Sequence, residues 1–196
     1  MNREAANDRR RSLRLKGYDY AQAGAYFVTT CTQDRTCLFG EVADDRICLN
    51  AAGQLAAILW SALPTRFPGI DLDAFIVMPN HVHGIVVVPD RAATVGAPLV
   101  GARAADAGER AATRAAPTIG NIVGAFKSLF TVEYIQGVKE GRWPRFRGRV
   151  WQRNYYEHVI RDEPDLARVR CYIDENPLRW ALDDENPQRM NRDGQS

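Results

Sequence analysis

The chain has 196 residues, 45% of them hydrophobic and 26% charged, which is enough to bury a core, and no apolar run approaches the roughly 20 residues of a membrane-spanning helix. Cys31, Cys37, Cys48 and Cys171 are scattered without C-x-x-C spacing, which excludes a zinc ribbon or a redox motif and fits a reducing compartment. The net charge is only +2, yet residues 1–16 carry six basic against two acidic side chains, and residues 126–153 carry seven against two. Two basic segments on a nearly neutral chain suggest a local phosphate-binding surface.

Residues 1–16 read as a mobile basic arm, polar and Arg-rich and without the apolar middle of a signal peptide, so a cytoplasmic protein is expected. Residues 25–32, rich in β-branched and aromatic side chains, form a predicted strand. Two short extended pieces follow around an Asp44-Asp45 turn. Asn50 is placed to cap a helix running to about Leu63, with Leu55, Ile58, Leu59 and Ala62 on one face. Residues 72–78 and 81–88 are apolar extended runs separated by Pro79-Asn80, expected as central strands or one kinked strand. Residues 90–117 are rich in Ala, Gly and Arg and read as a mobile insertion with little to bury. Thr118 can cap a second helix bearing Ile119, Val123, Phe126 and Phe130. A basic loop over 139–149, a strand over 155–160 and a third helix capped by Asp162 complete the domain. That helix runs to Asn176-Pro177, where the proline disfavours helix at the residue before it. The folded domain is expected over residues 17–182, with a polar tail over 183–196. Strands interleaved with three helices predict an α+β fold, one antiparallel sheet with helices packed on it.

The chain holds three histidines, and His81 and His83 stand at i and i+2. On a strand this spacing puts both imidazoles on one face, with Cα atoms roughly 6.5 Å apart, so the two rings can converge on one cation. Alone, a His-x-His pair is also compatible with two core histidines. A basic surface beside a metal favours phosphate chemistry, which then needs a nucleophile. Among seven tyrosines, Tyr172 lies at the edge of the stripe formed by Leu166, Val169 and Ile173, one turn before Asn176. From that edge it can present its hydroxyl to a sheet face, and Asn176 can offer an amide oxygen to a metal. Helical geometry alone is equally compatible with an ordinary interface tyrosine.

Four ordered blocks extend the pattern: residues 79–84 (PNHVHG), 124–128 (GAFKS), 150–161 (VWQRNYYEHVIR) and 171–180 (CYIDENPLRW). Together they resemble the REP-associated tyrosine transposases, within the wider group of His-hydrophobe-His, single-tyrosine transposases. The likeness covers about residues 24–180, apart from the Ala-rich insertion. It implies a ferredoxin-like fold with the histidines on a central strand. It also implies Tyr172 as nucleophile and His81, His83 and Asn176 as ligands of Mg2+ or Mn2+. Glu175 competes with Asn176 as third ligand, because a carboxylate suits a hard cation better.

The implied reaction cleaves and rejoins single-stranded or hairpin DNA through a 5′-phosphotyrosine intermediate, and the implied substrates are palindromic repeats. Arg9, Arg10, Arg11, Arg14, Lys127, Arg145, Arg147 and Arg149 are then the candidate backbone contacts, with Trp143, Phe146 or Trp151 available to stack on bases. His158 is expected in a structural hydrogen bond. The rival from another class is a catalytically silent, domesticated hairpin-binding protein. A zinc hydrolase is disfavoured by three histidines and no H-E-x-x-H. The sequence leaves open whether Tyr172 acts within its own chain or across a homodimer.

Overall fold

The computed structural model describes residues 22–90 and 117–189. Strand β1 (Gly24–Cys31) is followed by a hairpin of β2 (Gly40–Ala43) and β3 (Arg46–Leu49). The hairpin turns through Asp44 and Asp45, whose φ angles of 50° and 58° supply the two left-handed residues that a tight turn of this hand requires. Asn50 Oδ1 accepts the amides of Ala52 (2.9 Å) and Gly53 (3.0 Å) and so caps α1 (Ala51–Ser61). A short α2 (Leu63–Arg66), with a proline in its first turn, leads into β4 (Asp71–Val77) and β5 (His81–Val88).

The Pro79-Asn80 corner closes β4 and β5 into a hairpin, with the Met78 amide donating to the His81 carbonyl at 2.8 Å. Of these two strands, expected from sequence as a central pair or one kinked strand, only β5 is central; β4 is an edge strand. Helix α3 (Ile119–Lys139) opens on a reciprocal capping box between Thr118 and Asn121. Strand β6 (Tyr156–Ile160) and helix α4 (Glu163–Asp174) follow, the helix capped by Asp162. The chain breaks at Glu175 and resumes as α5 (Asn176–Arg179), with Pro177 in its first turn, and then a 3-10 turn (Trp180–Leu182).

The main sheet has the order β4-β5-β1-β6, with every neighbouring pair antiparallel. With α1 after β1 and α3 after β5, this is the ferredoxin-like arrangement. Its layers follow from strand alternation. Tyr26, Val28, Val82 and Val86 point to one face and join Trp60 of α1 and Phe126 and Phe130 of α3 in the larger core. Phe27, Ile85 and Val87 point to the other face, where Val169 and Ile173 of α4 cover them. Helix α4 is thus a third layer, and the side chains facing it include both histidines of β5.

An ion pair fixes where α4 lies along the sheet. Arg170 donates to Asp73 of β4 through Nε (2.9 Å) and Nη2 (2.6 Å), and this hydrogen bonding holds the Asp73 carboxyl below its usual range. The β4 register shifts between Leu72 and Phe75, beside Asp73. Among the described residues no helix is long and apolar enough to cross a membrane.

Gly84, one residue beyond the second histidine, lies under the indole of Trp60. A Cβ there would come within 2.3 Å of Cζ2 of this fully buried side chain. Gly84→Ala is therefore expected to destabilise the fold by about 1–3 kcal/mol, as overpacking of a filled core does. Equilibrium urea unfolding checks it; an unchanged midpoint would show that Trp60 has room to move.

Candidate metal centre and tyrosine

His81 and His83 emerge from β5 onto the α4 face with ring centroids 4.4 Å apart. Both are buried, at 0% and 4% exposure. Each ring is held at Nδ1. The Thr29 hydroxyl lies 2.7 Å from Nδ1 of His83, its register partner on β1, and Asn80 Oδ1 lies 2.9 Å from Nδ1 of His81. Phe27 stacks on His83 at 5.4 Å and Trp180 approaches His81 at 6.0 Å. The Nε2 atoms are left to face the interior of the site. That of His81 is buried without a hydrogen-bond partner.

Burial pushes His81 down to about 3, a polar contact from Asn176 opposing it only in part. His83 is held well below its ordinary value by burial first and by the neighbouring imidazole second. Both rings are therefore neutral at pH 7, the state in which imidazole binds a metal.

Tyr172 stands on α4, opposite the pair. Its hydroxyl is 3.4 Å from Nε2 of His83 in the same chain, and its ring meets His83 at 5.2 Å and Phe27 at 5.9 Å. The side chain remains 38% exposed, so one edge faces solvent. Burial raises the phenol above its ordinary value, with the carboxylate of Asp183 adding to the effect and a contact from Asn176 opposing it.

Asn176 is 1% exposed at the start of α5, and its Oδ1 is buried with no hydrogen-bond partner. The break at Glu175 turns it inward. Glu175 itself faces outward, accepting from Arg179 at 2.5 Å and from the Cys171 thiol at 3.1 Å. Of the two candidates for a third ligand, the buried and unpartnered oxygen belongs to Asn176.

Asp183 was not anticipated. The first residue of the expected polar tail, it turns back so that its carboxylate and the two imidazoles offer ligand atoms all within 4.8 Å of one another. Among the described residues no other trio of His, Cys, Asp or Glu converges in this way. An acidic residue in a run of polar ones carries no local pattern that would have marked it.

These groups open onto a cleft of about 1080 Å³, lined also by Gln152, Asn154, Tyr156 and Arg168. Lys127 reaches toward it from α3, but Nζ donates to the carbonyls of Gln152 (3.0 Å) and Asn154 (2.9 Å), and burial lowers its pKa to about 8. Lys127 thus pins the wall segment 152–154.

Arg145, Arg147 and Arg149 are exposed around a smaller pocket of about 200 Å³ that also includes Gln33 and Asp34. That loop rejoins the fold where Gln33 donates to Val150 (2.8 Å) and Gln152 to Cys31 (2.9 Å), at the end of β1 that pairs with His81. Arg9, Arg10, Arg11 and Arg14, and nearly all of the 90–117 insertion, lie outside the described residues.

The aromatic side chains expected to stack on bases are largely spent on packing. Trp151 is buried between Phe39, Phe126 and Phe130. Trp143 and Phe146 lean on Tyr134. His158 Nε2 donates to the Asp165 carboxylate at 2.9 Å, outside the His81–His83–Asp183 group.

Depressed histidines make stability depend on pH with a definite sign. Unfolded imidazoles titrate near 6.5 and these two far lower, so the unfolded chain binds more protons in between. Their contribution is present above pH 6.5 and is lost as the pH falls toward about 3, by up to roughly 1.4 kcal/mol per pH unit for each ring. Metal-free His81→Gln is expected to show a shallower acid loss than wild type when unfolding is followed from pH 7 to 4. Equal slopes would mean that His81 is not held neutral by burial.

No protein-family model matches the chain. It is 37% identical over 178 residues to an "Uncharacterized protein" of Haemophilus influenzae, covering 89% of this chain and 91% of that one. A second H. influenzae protein, named "Putative REP-associated tyrosine transposase", is 23% identical over 164 residues, 82% of this chain and 74% of its own. A solved REP-associated tyrosine transposase bound to a REP hairpin superposes with a TM-score of 0.53 at 18% identity, over 85% of this chain and 74% of that one, a likeness of fold. In sequence the chain is thus similar to a named REP-associated tyrosine transposase, and it shares the fold of a solved one.

Proposed function

We propose that the protein is a transposase that nicks and rejoins single-stranded or hairpin DNA, with Tyr172 as nucleophile and a divalent cation held by His81, His83 and Asn176. The observation that carries this reading is the meeting of four groups from three elements, β5, α4 and α5. The Tyr172 hydroxyl stands 3.4 Å from His83 Nε2, while His81 Nε2 and Asn176 Oδ1 are buried beside it without partners. Unpartnered acceptors in a protein interior are costly and rare, and a cation satisfies both at once. Asp183, within reach of the same pair, adds the negative charge that neutral nitrogen and amide ligands lack. Mg2+ or Mn2+ bound there would polarise a scissile phosphate and offset charge developing on its oxygens.

The chain's own groups supply the rest. His83 is steadied at Nδ1 by Thr29 and flanked by Phe27, so the ring cannot swing away from the nucleophile. Tyr172 keeps its proton at rest, since burial and Asp183 both raise it, and the proton it gives up on attacking phosphorus is balanced by the one the leaving 3′ oxygen takes up. The tyrosine oxygen–phosphorus bond forms as the bond from phosphorus to the 3′ oxygen breaks. The products are a 5′-phosphotyrosine and a free 3′-hydroxyl, and reversal rejoins the strand. One chain brings the hydroxyl and the imidazoles together, so this reading needs no second subunit.

The exposed Arg145, Arg147 and Arg149, with Arg9, Arg10, Arg11 and Arg14 of the N-terminal segment, are assigned to the DNA backbone. Lys127 acts indirectly, by holding the cleft wall.

Incubation with a single-stranded hairpin and Mn2+ is expected to give a protein–DNA adduct that survives denaturation. Tyr172→Phe should reduce it by at least about a thousandfold, as loss of a nucleophile does. An undiminished adduct from that variant would remove the assignment, and hairpin binding without any adduct from wild type would favour a silent binding protein.

Replacing Arg145, Arg147 and Arg149 together by Ala is expected to flatten the plot of log affinity against log salt by about 0.7–0.9 for each phosphate that is no longer neutralised. An unchanged slope in a titration from 50 to roughly 200 mM salt would place the DNA elsewhere.

A further inference from the structure

We infer that Asn80 is a positioning residue that fixes the tautomer of His81, keeping the proton on Nδ1 and the lone pair of Nε2 directed into the site. This role takes its purpose from the metal reading, on which it rests, and its content from hydrogen-bond geometry. Asn80 is fully buried at the corner between β4 and β5, at 0% exposure. Its amide group could in principle face His81 with either end, and the surroundings decide which. The nitrogen Nδ2 lies 2.9 Å from the carbonyl oxygen of Arg35 and 2.7 Å from that of Glu185.

Backbone carbonyls only accept, so both require the NH2 end. Rotating the amide would set its oxygen against two carbonyl oxygens and leave all three without donors. The end facing His81 is therefore the oxygen, 2.9 Å from Nδ1. An amide oxygen cannot donate, so Nδ1 must carry the hydrogen, and in a neutral imidazole Nε2 is then the bare acceptor. That atom is the one left buried and unpartnered.

His83 is tied differently. Its Nδ1 meets the Thr29 hydroxyl, which donates or accepts according to how it turns, so that contact permits either tautomer. Asn80 is thus the one of the two Nδ1 partners that dictates the proton's place. It also links three parts of the chain: the turn after β1 through Arg35, the ligand strand through His81, and the segment after Trp180–Leu182 through Glu185. Arg35 and Glu185 are themselves joined side chain to side chain at 2.8 Å, which keeps both carbonyls near Asn80. A buried amide with both ends engaged is rigid, as an outer partner of a metal ligand has to be.

Two variants separate positioning from mere support. Asn80→Ala and Asn80→Asp both lose the donors to Arg35 and Glu185, but only Asp keeps an oxygen facing Nδ1. The measurement is the long-range proton–nitrogen NMR spectrum of metal-free protein labelled with 15N in histidine, assigned with His81→Gln, alongside Mn2+ binding followed by electron paramagnetic resonance.

Wild type is expected to show His81 with its proton on Nδ1. Asn80→Asp should retain that state. Asn80→Ala should move to the Nε2–H form or a mixture and lose about 10–100-fold in Mn2+ affinity, the usual cost of removing an outer-shell partner. A wild-type proton on Nε2 overturns the inference whatever the variants do, as does an Asn80→Ala protein that keeps the Nδ1–H form, or equal loss of it in both variants. Wild-type protein that gives the expected tautomer but binds no Mn2+ would sink the metal reading while upholding the role of Asn80.

Discussion

The period of two along β5 is the constraint from which the site follows. Alternation sends Val82, Gly84 and Val86 into the core under α1 and α3, and sends His81 and His83 to the opposite face. Neither set can move without the other, because a slip of one residue would drive imidazoles into the larger core and valines into the cleft. The close fit of Trp60 over Gly84 and eight register pairs between β1 and β5 hold that phase. What remains is to bring Tyr172 to the histidine face, which α4 does through Val169 and Ile173 and through the Arg170–Asp73 pair at the sheet edge.

Much of this was legible in the sequence because it rests on local rules. Asn50, Thr118 and Asp162 announce helix starts through their side-chain chemistry, and each caps its helix. The His-x-His spacing fixes a shared face as soon as the segment is a strand, and the stripe on α4 fixes Tyr172 at its edge. Contacts set by the path of the chain between elements were not legible. Residues 79–80 mark a corner, but only pairing with β1 makes β5 central and leaves β4 at the edge. Asp183 carries no periodic signature, and its approach to the pair depends on the turn through Trp180–Leu182 and on Asn186 Nδ2 donating to the Trp180 carbonyl at 2.9 Å. Lys127 looks from sequence like a free cation on a helix; it is committed because residues 152–154 happen to pass beneath it. Trp143, Phe146 and Trp151 sit in a basic stretch, yet large aromatic side chains gain more from the core than from solvent.

The interior of the site is unusual in what it leaves undone. Buried polar groups in native proteins almost always find partners, and each one that does not costs about 1–3 kcal/mol. Here Nε2 of His81 and Oδ1 of Asn176 are both without a hydrogen bond, in a region otherwise packed by Phe27, Trp180 and Ile173. Two aliphatic side chains of similar size would fill the same space at lower cost. Two buried acceptors left unpartnered in one interior are an arrangement that a cation would satisfy.

The charge balance points the same way. Two neutral imidazoles and an amide bring no negative charge, which suits a soft cation better than a hard one. Asp183 alters that balance. Its carboxyl is raised first by burial and then by the neighbouring carboxylates of Glu185 and Asp184, so it is held where its own ionisation is opposed. A divalent cation between Asp183 and the histidines would relieve that repulsion and favour the carboxylate form, and the same charge would lower the proton affinity of Tyr172, which Asp183 alone raises. Without a cation, Asp183 thus opposes ionisation of Tyr172. On the metal reading, a bound cation would offset the rise that burial and Asp183 impose on the Tyr172 hydroxyl.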